Sequence, residues 1–98
     1  MSHTLDISEA AEKDLRDAFL WYEKESPGLG DKFEKQIDSA IQYIQKNPLK
    51  VQVKYKDVRV DFIKKFPFGI HFTVSEKIIT VIAVFHTAEN PDKWNNRA

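Results

Sequence analysis

The sequence contains no cysteine, which excludes disulfides and thiolate metal ligands and fits a reducing compartment. No apolar run approaches the roughly 20 residues needed to span a bilayer, so no membrane partner is expected. Met1 to Asp14 lacks the apolar stretch of a secretory leader, which makes the cytoplasm the expected location. Net charge is absent too, with 15 basic residues against 15 acidic ones; a protein that lives on phosphate contacts is usually more basic. The three histidines, at positions 3, 71 and 86, have no metal-ligand spacing, and no metal is expected. Neither a phosphate-cradling loop nor a dinucleotide-binding glycine pattern is present, and no serine sits in a nucleophile elbow. No cofactor is expected.

What is present is core. The chain is 98 residues long, 42% hydrophobic, and carries seven phenylalanines. A single domain over residues 1–98 is expected, burying roughly 65% of the surface of its unfolded chain. The charges are unevenly spread. Residues 1–50 hold seven Lys/Arg and ten Asp/Glu, whereas residues 51–98 hold eight and five. An acidic first half and a basic second half could orient the molecule toward an anionic partner.

The chain is organised around Ile78 to Phe85, an apolar, β-branched run broken only by Thr80. Such a run reads as a strand covered on both faces, near the centre of a sheet. It ends at His86 and passes through a polar segment to Trp94. Upstream, Leu5 and Ile7 alternate with polar residues as a short strand. Ser8 is the expected N-cap of a helix to about Glu25, with Ala11, Leu15, Ala18, Phe19 and Tyr22 on one stripe. Trp21 lies off that stripe, as a rim residue or a partner contact. Ser26-Pro27-Gly28-Leu29-Gly30 breaks the chain. A second helix is capped either by Ser26, with Pro27 at its first position, or by Asp31 with Glu34. Its stripe is Leu29, Phe33, Ile37, Ala40, Ile41 and Ile44, and Asn47-Pro48 ends it. Beyond Pro48 the period changes from 3.6 to 2, over Val58 to Phe62 and again over Phe68 to Val74. The fold class is α+β, in the order β-α-α-β-β-β: an antiparallel-dominated sheet with a helical hairpin on one face.

Side-chain parity follows if Phe62 and Phe68 both face the helices. Arg59 then lies opposite His71, and a two-residue turn at Glu76-Lys77 sets Val74 opposite Ile79 and His71 opposite Ile82. The helix face receives Phe62, Phe72, Val81, Ala83 and Phe85 among others. The open face receives Arg59, Asp61, His71, Thr73, Thr80, Ile82, Val84 and His86. A common core of Leu15, Phe33, Ile37, Ile41, Phe62, Phe72, Val81 and Ala83 is expected. Cleavage of RNA by its 2′-hydroxyl needs a base, an acid and cations for the phosphate charge. Arg59, His71, His86 and the Lys64-Lys65 pair are the right types. On this register, however, the two imidazoles stand roughly 13 Å apart.

The order of elements, with Ser26-Pro27-Gly28-Leu29-Gly30-Asp31-Lys32-Phe33, Phe66-Pro67-Phe68-Gly69-Ile70, and Val81 to His86 followed by Pro91 and Trp94, resembles the RelE/ParE toxin superfamily of bacterial type II toxin–antitoxin modules. The resemblance runs from Leu5 to Trp94, and the local strings look more like its ParE side. It implies a plasmid-stabilisation type of toxin silenced by a small cognate antitoxin that folds on binding, and a target that is either DNA gyrase, poisoned by binding, or ribosome-bound mRNA, cut by an endoribonuclease. A third reading is a degenerate relative that binds only its antitoxin. For a ribonuclease, Arg59, His71 and His86 are the candidate catalytic residues. For partner contact the candidates are Trp21, Lys64, Lys65 and Trp94. The segment after His86, Thr87-Ala88-Glu89, departs from the basic residues that many relatives carry there.

Overall fold

A computed structural model of the chain describes residues 3–98. Strand β1 (Thr4–Ile7) leads into helix α1 (Glu9–Glu25) and helix α2 (Leu29–Lys46), and a short 3-10 turn (Pro48–Lys50) follows. Strands β2 (Val53–Tyr55), β3 (Val58–Phe62), β4 (Phe68–Ser75) and β5 (Ile78–His86) come next, and helix α3 (Asp92–Arg97) closes the chain. The sheet order is β1-β5-β4-β3-β2. Among the described residues the β1–β5 pair is parallel and the other neighbours are antiparallel. Among the described residues no helix is long and apolar enough to cross a membrane. The α+β architecture with a helical hairpin against a mainly antiparallel sheet is as expected, with β2 and α3 added to it.

Ser8 caps α1 as its sequence position requires, its Oγ accepting from the Ala11 N–H at 3.1 Å. The start of α2 follows neither expectation. Its N-cap is Gly28, at φ 88°, a left-handed conformation that a side chain would strain. The free amides there are satisfied from α1 instead: the Glu23 carboxylate accepts from Gly28 N–H at 3.1 Å and Gly30 N–H at 2.9 Å. A carboxylate at a helix N-terminus meets both the unpaired donors and the positive end of the dipole.

The helix-side core gathers Ala11, Ala18, Phe33, Ile37 and Ile44 with Ile63, Ile70, Phe72, Ile79, Val81 and Val84. Phe33 is its aromatic hub, with ring centroids 5.4 Å from Tyr22, 5.4 Å from Phe66 and 5.1 Å from Phe68. Val58, Val60, His71, Ala83 and Phe85 are also buried, but on the other face of the sheet, where Tyr55 and α3 cover them.

Two features of register produce that second buried layer. Strand β3 pairs with β4 one residue away from the expected register: Phe62 lies opposite Gly69, Val60 opposite His71, and Arg59 opposite Phe72. Arg59 and Asp61 therefore share the helix side with Phe72 and Ile70. Phe62 turns away from the helices and is 51% exposed, so it is not a member of the common core. In the β4–β5 pair, Val74 faces Ile79 as expected, but the register then shifts at Ile82, leaving His71 opposite Ala83 and Phe68 opposite His86. One extra residue in a strand reverses the facing of everything beyond it. Ala83 and Phe85 thus leave the helix face, and Val84 and His86 join it.

Candidate functional site

Strand β1 pairs with β5 only from Ile78 to Val81. Beyond Val81 that edge of β5 is open, and its backbone groups need other partners. Asp14 on α1 accepts from the Val84 N–H at 3.0 Å. Arg97 on α3 donates to the Ile82 carbonyl at 3.0 Å and grips both Asp14 oxygens, at 2.7 and 3.0 Å. Its guanidinium also lies 5.0 Å from the centre of the Phe85 ring, in cation–π range. The hydrogen bond to Asp14 raises the Arg97 pKa further above its ordinary value. This pair ties the first helix, the bulged strand and the last helix together.

Behind Arg97 lies His71, 1% exposed. Its Nδ1 is 2.9 Å from the Tyr55 hydroxyl, and its ring is 4.9 Å from Trp94 and 5.1 Å from Phe85. Burial lowers its pKa from 6.5 to about 4; the nearby Asp14 opposes that shift and Arg97 adds to it. His71 is accordingly a neutral imidazole enclosed by aromatic rings. Burial raises the pKa of Tyr55, and Arg97 partly offsets this.

A concavity of about 690 Å³ runs between α1, the far end of β5 and α3. Trp21, Tyr22, Phe68, His86 and Lys93 are among its lining residues. Trp21 is 59% exposed and stands edge-on to Tyr22 at 5.2 Å. His86 stacks edge-on against Phe68 at 5.1 Å, and its Nδ1 accepts from the Ala88 N–H at 3.0 Å. The groove thus brings together two residues that sequence reasoning had placed in different roles, Trp21 and His86.

The three candidate catalytic residues do not converge. His71 sits beneath α3, while His86, paired with Phe68, faces the helix side, three residues of β4 away in facing. The imidazoles therefore lie on opposite faces of the sheet rather than apart on one face. Arg59 is not opposite His71: its guanidinium donates to the Val51 carbonyl at 2.6 Å and the Leu49 carbonyl at 3.4 Å, fixing the chain after the 3-10 turn. Lys64 and Lys65 are exposed in the β3–β4 connection, where Lys65 has φ 70°. Trp94 is half-buried, its ring 5.4 Å from Tyr55 as well as against His71, so most of its contacts are internal. Among the described residues no cluster of three or more His, Asp or Glu side chains could hold a metal ion.

Asp14, Tyr55 and Arg97 were missed by sequence reasoning. Trp94 and Arg97, three apart, share one face of a helical turn, but a six-residue helix shows no period that would reveal it. Asp14 gave no signal either, since its partner is 83 positions away.

Residues 5–91 match the family model described as the ParE toxin of the type II toxin–antitoxin system, parDE. A relative, Toxin ParE2 of Mycobacterium tuberculosis, is 25% identical over 93 residues, covering 94% of this chain and 89% of that protein. Among solved structures, the chromosomal ParDE TA system from P. aeruginosa superposes with a TM-score of 0.77 at 19% identity, over 86% of this chain and 95% of that one. At that identity the match speaks for the fold.

Proposed function

The chain belongs to the ParE toxin family of type II toxin–antitoxin systems, and from that premise we propose that it acts by binding DNA gyrase, not by cutting RNA. The observation that supports a binder over a nuclease is the separation of the chemistry. A nuclease needs acid, base and cation around one phosphate, but His71 and His86 lie on opposite faces of the sheet and the Arg59 guanidinium is engaged by backbone carbonyls. His71 is also enclosed and neutral, unable to reach a substrate while α3 covers it.

Membership of the family implies an antitoxin partner. The groove holding Trp21 suits a short apolar segment of such a partner, because exposed apolar surface of this kind commonly marks an interface. Lys64 and Lys65 offer two cations for acidic residues of a partner.

Expression in bacteria with and without the neighbouring antitoxin gene tests the proposal. Growth arrest with DNA damage and loss of gyrase supercoiling, while cell-free translation continues, is the expected result. Cleaved mRNA and stalled translation, abolished by Arg59→Ala in a stably folded variant, would establish the nuclease instead. Unimpaired growth would indicate a relative that only binds its antitoxin.

A further inference from the structure

Helix α3 is short, and none of its six residues is fully buried. It follows Asn90-Pro91, with the Asp92 N–H bonded to Asn90 Oδ1 at 3.0 Å, and two side chains tie it down. Arg97 is fastened to Asp14, the Ile82 carbonyl and the Phe85 ring. Trp94 lies across Tyr55 and His71, with its indole Nε1–H buried and without a hydrogen-bond partner among the described residues. An unpaired buried donor weakens the closed arrangement. On the same side of the sheet lie His71 and the buried side chains of Val58, Val60, Ala83 and Phe85.

We propose that α3 is a releasable strap, and that its lifting from the sheet and the protonation of His71 are one coupled event. The groups facing His71 are known from each side: Tyr55 of β2 at hydrogen-bond distance, Asp14 of α1, Arg97 and Trp94 of α3, and Phe85 of β5. Lifting α3 admits water to the ring, whose burial is the main reason imidazolium is disfavoured, and removes Arg97, the cation that adds to this. Asp14, left behind without its guanidinium, then favours the charged form.

The sign follows from linkage. With the strap closed His71 titrates at about 4, against 6.5 for a free imidazole, so the closed form binds fewer protons. Closure is therefore fully favoured above about pH 6.5 and loses ground as pH falls toward about 4. Between about pH 7.5 and pH 5 the opening equilibrium rises by a factor of about 30.

Hydrogen exchange at the Trp94 indole N–H, compared with free N-acetyltryptophanamide at each pH, reads the opening directly. Trp21→Phe identifies the signal. Protection of that proton should fall about 30-fold over this range and stay well below that of the backbone amides of Ile70 and Phe72 at every pH, because release of the strap lies below unfolding of the sheet. In His71→Gln the pH dependence should vanish. In Arg97→Ala protection should be lower at neutral pH, because the tie to Asp14 is gone. The proposal is overturned by pH-independent protection in the natural chain, by persistence of the slope in His71→Gln, or by unchanged protection in Arg97→Ala. Protection at Trp94 equal to that at Ile70 and Phe72 would also overturn it, since that is unfolding of the whole described fold.

Discussion

Glu23, in the last turns of α1, holds the first amides of α2 through its hydrogen bonds to Gly28 and Gly30. The same crossing leaves no room at Gly30, where an added Cβ would stand 2.7 Å from Glu23 Cγ and 2.8 Å from the Phe19 ring. The turn between the helices thus works as one unit. Glu23→Ala should cost about 1–2 kcal/mol, as loss of a helix cap does. Gly30→Ala should cost at least as much, about 1–3 kcal/mol, because it displaces both packed side chains. Denaturant midpoints of the two variants measure this; a Gly30→Ala protein as stable as its parent would show that the crossing is loose.

Phe33 is completely buried and touches three other aromatic rings. Phe33→Ala should lower unfolding free energy by roughly 3–5 kcal/mol, the usual cost of an aromatic-sized cavity. Phe62→Ala, at a half-exposed ring on the opposite face, should cost far less. Urea unfolding of the pair checks the ordering, and equal losses would contradict the observed register of β3.

Arg59 serves the backbone after the 3-10 turn. Removing a charged donor from the Val51 carbonyl should cost about 1.5–3 kcal/mol. Arg59→Ala is therefore expected to lower the melting temperature, and any toxicity should fall only in proportion to the folded fraction. A stable Arg59→Ala protein with toxicity reduced by about 10²-fold or more would mean that the guanidinium does chemistry.

Trp21 packs loosely on its own helix and borders the groove. Trp21→Ala should change stability by no more than about 0.5 kcal/mol, as exposed positions do. Its affinity for the antitoxin should fall by at least about 1 kcal/mol, as expected for a central aromatic anchor. Calorimetric titration with the neighbouring gene product is the measurement, and unchanged affinity would place the antitoxin elsewhere.

Much of this molecule was determined locally, and so could be read from its order of residues. The stripes Ala11 to Tyr22 and Phe33 to Ile44 specify two one-sided helices because the period of 3.6 is a property of the backbone. Ser8 caps α1 through an amide three residues on, and Glu76-Lys77 closes a hairpin whose first pairs are as expected. Strand β2 and helix α3, three and six residues long, are too short to show a period.

The facing of β3 and of the end of β5 was decided by tertiary packing. If Phe62 and Phe68 face the helices, alternation along β3 places Val58 and Val60 on that side with Phe62. Trp94 and Arg97 of the terminal helix pack on the opposite face against Tyr55, His71 and Phe85, and Val58 and Val60, turned away from the helices, are buried on that side. The extra residue at Ile82 then placed Ala83 and Phe85 on the same side and turned His86 toward α1. Alternation tells which residues share a face, but only the finished packing tells which face is covered, since burial depends on what comes to lie against it from far along the chain. The Asp14–Arg97 pair, 83 positions apart, is where that decision is held in place.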